Sequence, residues 1–176
     1  TYDILKREYK GRKHSALTYI KAKLRCWDRR IDQVTPHWDL VAHQLLMPPA
    51  AHDVHANPHS LWTEVDEATN WEGEAHLLAG PTIWFPKGTV QHWAIRQVAA
   101  FAQVVLADKL GVAVHLVAHA PGRIAHTADF HVHLLCTARV ITTTGLGVFA
   151  QDVFTDGCQT RCKAAWDAWW SANPQP

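Results

Sequence analysis

The stretch that most constrains this chain runs from Val112 to Arg139 and reads VAVHLVAHAPGRIAHTADFHVHLLCTAR. At its centre His131 and His133 flank a single valine. Successive side chains of a β-strand point to opposite faces, so both imidazoles share one face while Phe130, Val132 and Leu134 take the other. The upstream run Val112 to His119 also has strand character and puts His115 and His119 on a common face. Ala120-Pro121-Gly122-Arg123 between the runs is a turn signal, which predicts that they fold back as a hairpin. Such a hairpin sets His119 beside the His131/His133 pair, giving three neutral nitrogen ligands and open positions for substrate. His115 is a spare on the same strand, and His126 sits in the connecting loop.

A lone His-x-His is common among half-buried strand residues, and the third histidine is what makes a candidate metal site here. Imidazole suits zinc, manganese, iron, cobalt, nickel or copper better than magnesium. One divalent ion is expected, manganese or magnesium first, with zinc, nickel or cobalt as alternatives. Such an ion polarises a phosphoryl or carbonyl oxygen as a Lewis acid. Asp129, two residues before His131, is a candidate for orienting an imidazole from outside the ligand set.

With 176 residues and 48% hydrophobic content, the chain can bury one good core, and a single domain over residues 1–176 is expected. No window approaches about 18 uninterrupted apolar residues, so no membrane insertion is expected, and the first residues are too charged for a signal peptide. Thr1 stands where a starting methionine would, so a fragment of a longer protein is expected. Four cysteines, Cys26, Cys136, Cys158 and Cys162, are too few for a secreted disulfide scaffold and read as reduced cytoplasmic thiols.

The net charge of +1 hides an asymmetry: residues 1–30 hold ten Lys or Arg against three acids, +7, and leave −6 for the remainder. A basic surface of this kind suits a polyanion, and an ordinary solvated helix face is the plainer account of the same charges.

Along the chain, Tyr2 to Tyr9 reads as a first strand with Lys10-Gly11-Arg12 as its exit. Ser15 looks like an N-cap for a helix from Ala16 to Asp28, with Leu17, Ile20 and Leu24 as its apolar stripe. Asp39 to Met47 gives a short strand. A helix is expected from Leu61 to Asn70, with Glu72 to Leu78 either prolonging it or starting a new turn. Thr82 to Phe85 is the next strand, and Thr89 caps a long helix from Val90 to Leu110 that Gly111 ends. After the hairpin come Val140 to Thr144, a Gly145-Leu146-Gly147 turn, an apolar run Val148 to Phe154 and a Trp-rich helix from Arg161 to Ser171. Helices mixed with strands, without a glycine-rich phosphate loop, predict an α+β fold: an antiparallel sheet with helices packed on it.

A nucleophile would complete the site. Tyr19 lies on the first predicted helix within the basic segment, and tyrosine can form covalent intermediates. Tyr2 and Tyr9 are the other two tyrosines.

These residues resemble the MobA/MobL-type conjugative relaxases, members of the HUH (His-hydrophobic-His) endonucleases. The family shows an apolar strand ending in His, a Pro-Gly loop, and a H-x-H strand followed by T-x-R. Here those pieces are Val117-Ala118-His119, Pro121-Gly122, and His131-Val132-His133 with Thr137 and Arg139, and Gly145-Leu146-Gly147 looks like the Gly-Phe-Gly that often follows. Leu61-Trp62-Thr63-Glu64-Val65 resembles a family helix, Ser15-Ala16-Leu17-Thr18-Tyr19 looks like a shortened form of the helix that carries the catalytic tyrosine, and Ala164-Ala165-Trp166 is similar to a late helix. Two departures stand out. The family strand before the long helix carries glutamates where this chain has Pro81-Thr82-Ile83-Trp84-Phe85-Pro86, and Asn-Pro before the histidine pair is replaced by Asp129-Phe130.

The resemblance implies the HUH relaxase fold and a concrete activity. Tyr19 would attack a phosphate of single-stranded DNA at a plasmid origin of transfer, giving a 5′-phosphotyrosyl link and a free 3′-hydroxyl. It selects His119 to join His131 and His133 around the ion. Lys10, Arg12, Lys13, Lys21, Lys23 and Arg25 are candidates for phosphate contacts, and some of the nine tryptophans for base stacking, though most belong to the core. Relaxosome accessory proteins and a type IV secretion coupling protein are the implied partners. The implied location is a bacterial cytoplasm, with passage to a recipient cell alongside the DNA. Replication initiators and transposases of the same group place their tyrosine after the histidine pair, and no tyrosine follows His133. A three-histidine hydrolase of a small molecule and an inactive DNA-binding relative are the readings from other classes.

Overall fold

The structure, a computed structural model, describes residues 1–24, 39–69, 73–124 and 128–174. Its strands are β1 (Tyr2–Lys6), β2 (Glu8–Tyr9), β3 (Arg12–Lys13), β4 (Leu40–Leu46), β5 (His76–Trp84), β6 (Val112–His119), β7 (His131–Thr142) and β8 (Gly145–Phe149). The α-helices are α1 (Ala16–Lys23), α2 (Pro58–Glu67), α3 (Gln91–Phe101), α4 (Gln151–Phe154) and α5 (Cys158–Ala172). The main sheet runs β1-β5-β7-β6-β4, with β8 pairing the far end of β7, and all its pairs are antiparallel. The expected α+β architecture, an antiparallel sheet with helices packed on it, is present.

Both faces of the sheet are covered, which is why β6 is buried at every residue. On one face Val114, Leu116, Ala118, Val132, Leu134 and Cys136 join the core built on α3 and α5. On the other, Ala113, Val117 and Leu135 pack with Ala16 and Ile20 of α1 and Leu61, Trp62 and Val65 of α2. The two-residue period of the strands thus sends the odd-numbered residues from His115 to His119 and from His131 to Leu135 toward α1 and α2. Full burial of a side chain such as Leu61, Phe101 or Leu134, each 0% exposed, contributes about 1.5–3 kcal/mol.

Two close approaches fix the register. β6 pairs with β7 through His119↔His131 and Val117↔His133, and β5 pairs with β7 through Thr82↔His133 and Trp84↔His131. A Cβ on Gly80 would lie 1.7 Å from the Leu134 carbonyl oxygen, so β5 reaches β7 at that point only because the residue is glycine.

α1 hangs from α2. Asp66 accepts hydrogen bonds from Ser15 Oγ (2.6 Å), the Ala16 amide (2.6 Å) and the Leu17 amide (3.1 Å), while Ser15 Oγ accepts from the Thr18 amide (3.0 Å). These bonds satisfy amides that the first turn of a helix leaves unpaired, and the Asp66 charge sits at the positive end of the α1 dipole. Arg7 in turn donates to the Asp66 (2.6 Å), Val65 (3.3 Å) and Ala68 (2.8 Å) carbonyls at the end of α2. Asn57 caps the start of α2 by accepting from the His59 and Ser60 amides.

Several expectations are corrected. Tyr2 to Tyr9 is interrupted after Lys6, and the exit becomes a second hairpin, β2–β3, turning through Lys10 (φ 51) and Gly11 (φ 73). The segment after α2 is the start of β5 rather than more helix. Thr89 bonds to the Pro86 carbonyl and leaves Val90 to begin α3 without a side-chain cap. The long helix changes to π geometry over Ala102–Asp108, while Gly111 (φ 69) ends it as expected. Val140 to Thr144 is no separate strand, since β7 runs through to Thr142, and Gln151 to Phe154 leaves the sheet as α4. The predicted end of the first helix, with Arg25, lies outside the described residues, as does His126.

Candidate functional site

The hairpin register brings three imidazoles into a triangle at the α1 end of the sheet. Ring centroids lie 5.4 Å apart for His119–His131, 5.5 Å for His119–His133 and 5.0 Å for His131–His133. All three are buried, at 3%, 5% and 7% exposure. Burial disfavours the charged form and is the largest cause of the lowered pKa of each. His133, which also faces Lys23 and the other two rings, is pushed down to about 2. The rings are therefore neutral at physiological pH, the form that ligates metal.

Each ring turns its Nδ1 toward an oxygen. The Asp129 main-chain carbonyl lies 2.9 Å from His131 Nδ1, the Thr82 hydroxyl 2.8 Å from His133 Nδ1, and Asp39 Oδ2 3.3 Å from His119 Nδ1. The last is close enough for an ion pair but lacks hydrogen-bond alignment, and both buried Asp39 oxygens have no hydrogen-bond partner among the described residues. The Asp129 carbonyl can only accept, so it sets the His131 tautomer that leaves Nε2 as the lone-pair donor, the usual outer arrangement of ligating histidines, while the Thr82 hydroxyl orients the His133 ring and can serve either tautomer. Asp129 thus serves His131 through its carbonyl rather than its carboxylate. Asp39 and Thr82 were not anticipated. Asp39 gives no local signal, whereas Thr82 could have been found from the β5 segment where the family's glutamates are replaced.

These residues suit a divalent ion in donor type and spacing. With metal–nitrogen bonds of about 2.1 Å and a ring nitrogen about 1.2 Å from its centroid, two imidazoles on one tetrahedral ion have centroids about 5.4 Å apart. As they stand, however, the donor atoms are not gathered: among the described residues no group of three or more His, Cys, Asp or Glu is arranged to hold an ion. Lys23 Nζ lies 3.5 Å from His133 Nε2. Gathering the nitrogens requires the rings to turn and Lys23 to withdraw.

Lys23 also links the histidines to Tyr19, since its amine stands 5.3 Å from the centroid of that ring, one helical turn away. The Tyr19 centroid and His133 Nε2 are therefore no farther apart than those two lengths laid end to end. Burial, and then Asp3, raise the Tyr19 pKa, while burial lowers that of Lys23. Tyr19, Lys23, His119, His131 and His133 form one cluster. Lys10, Arg12 and Lys13 are exposed on the β2–β3 turn, and Lys21 is exposed on α1. Trp84, 50% exposed, stacks on His131 with centroids 4.2 Å apart and planes at 29°.

The antiparallel sheet with a histidine triangle beneath a tyrosine-bearing helix defines a relaxase fold of the HUH kind. Residues 23–172 match the MobA/MobL family, and the chain belongs to that family. The matched stretch begins at Lys23 and so leaves out Tyr19. In fold the chain is similar to a solved structure concerned with the molecular basis of vancomycin resistance transfer in Staphylococcus aureus, with TM-score 0.59 and 20% identity over 74% of this chain and 67% of that one. No curated protein sequence matches it. Among the described residues no helix is long and apolar enough to cross a membrane.

Proposed function

We propose that this chain nicks and rejoins single-stranded DNA at a plasmid origin of transfer, with Tyr19 as nucleophile. Membership of the MobA/MobL family supports a relaxase role in conjugative transfer. The observation that carries the finer reading is the bridge made by Lys23, whose amine lies 3.5 Å from His133 Nε2 and 5.3 Å from the Tyr19 ring centroid.

In this reaction the Tyr19 oxygen attacks phosphorus, the bond from phosphorus to the 3′-oxygen breaks, and the DNA is left with a 5′-phosphotyrosyl link and a 3′-hydroxyl. The phenol gives up its proton and the departing 3′-oxygen gains one, so the step balances and reverses by attack of that hydroxyl. Burial and Asp3 raise the Tyr19 pKa, so the phenol enters the step protonated. His119, His131 and His133 would hold a divalent ion, which when bound supplies Lewis-acid polarisation of the phosphoryl oxygens. Lys23, freed from His133, offers its ammonium to the same oxygens. The exposed Lys10, Arg12, Lys13 and Lys21 supply charge along the strand, a contribution that falls with salt.

The test is incubation of the protein and of Tyr19→Phe with origin single strands and manganese, followed by a denaturing gel. A protein–DNA adduct that vanishes in Tyr19→Phe is expected. An undiminished adduct removes Tyr19 from the mechanism, and salt-sensitive binding without any adduct makes the chain a DNA-binding module.

A further inference from the structure

Trp84 is the one tryptophan among the described residues left exposed; Trp62 and Trp93 are buried, and Trp166, Trp169 and Trp170 pack against the core. An indole half in water forgoes much of the burial that makes tryptophan useful inside a protein. Its place is specific. Trp84 is the cross-strand partner of His131, and Thr82, two residues earlier on the same face of β5, bonds to His133. One side of the indole rests on the His131 ring.

We infer that Trp84 is a stacking platform for a base of the single strand whose phosphate lies at the histidines. The inference rests on the DNA-processing reading above. A strand held by a phosphate at His131 must place a neighbouring base within about one nucleotide of it, and the nearest open aromatic surface is the indole stacked on that histidine. Stacking on an aromatic side chain contributes about 1–3 kcal/mol per base and tolerates any base, because every base has a π-face. Lys23 at His133 and Trp84 at His131 would then grip the phosphate and the base of one short segment from either side of the triangle.

The test uses fluorescein-labelled oligo(dT) and a matched abasic oligonucleotide that keeps the phosphates, both in metal-free buffer with chelator, so that any effect through the ligand His131 is set aside. The parent is expected to bind oligo(dT) about tenfold or more tighter than the abasic strand. Trp84→Ala should lose that preference while binding the abasic strand as the parent does, and Trp84→Phe should keep most of it. Thermal melts confirm that each variant is folded. If folded Trp84→Ala binds oligo(dT) as tightly as the parent, or if the parent does not distinguish the two strands, the inference is overturned while Tyr19-dependent adduct formation can still stand. If the parent binds neither strand, both the inference and the DNA reading fall.

Discussion

Lys23 Nζ lies 3.5 Å from His133 Nε2, although 110 residues separate the two in sequence. The ammonium thus stands where a ligating nitrogen must face a metal ion. Two like charges about 4 Å apart oppose each other by about 1–4 kcal/mol between bulk water and a protein surface. Lys23→Met is therefore expected to bind manganese about tenfold or more tightly than the parent, read by the loss of the free-ion signal in electron paramagnetic resonance. Equal or weaker affinity in the variant would show that Lys23 does not stand against the ion.

The attachment of α1 predicts a separable defect. Asp66 receives three hydrogen bonds from the start of α1, and helix caps contribute about 1–2 kcal/mol. Asp66→Ala should lower the melting temperature by that equivalent and reduce the Tyr19 adduct by more than tenfold, while metal affinity changes little. A parallel fall in metal affinity would mean that Asp66 supports the sheet as well as the helix.

Thr82 holds the Nδ1 of His133 at 2.8 Å, and loss of such an outer partner typically costs 10–100-fold in metal affinity. Thr82→Val, nearly equal in shape, is expected to show that loss by calorimetric titration with zinc, and Thr82→Ser to recover most of it. An unchanged Thr82→Val would show that the orientation of the His133 ring rests on some other contact.

Stability should fall in acid because of His115. It is fully buried, its Nδ1 accepts from Trp62 Nε1 at 3.3 Å, and burial followed by His43 pushes its pKa from 6.5 down to about 4. Between those values the unfolded chain binds the proton and the folded chain does not, so the stabilisation is complete above pH 6.5 and is lost as pH falls toward about 4. The loss amounts to about 3 kcal/mol. In urea titrations His115→Phe should flatten this limb, and an unaltered slope would assign it to other groups.

The sheet was legible because its signals are local. Val112–His119 is a short apolar run rich in valine, His131-Val132-His133 alternates, Pro121-Gly122 marks the turn between them, and Gly111 marks a helix end. Ser15 was equally readable as a cap, but its partner Asp66 comes from a helix 51 residues away, and nothing in the alternation of either segment announces that contact. The same holds at the site. His119, His131 and His133 follow from strand period and one turn, whereas Asp39, Thr82 and the inward reach of Lys23 depend on which strands and helices lie side by side. Lys23 reads in sequence as one more cation in a basic run, because charge patterning reports sign and not direction.

Gly80 gives this site an all-or-none character. Its missing side chain lets the Leu134 carbonyl oxygen come within 1.7 Å of where a Cβ would stand, and that contact holds β5 in step with β7. Strands slide only by whole residues, and one step would carry Thr82 and Trp84 to the face packed by α3 and α5 and bring Ile83 and Phe85 up to the imidazoles. Selection can exchange the residues at these positions one by one, but it cannot adjust their alignment by degrees.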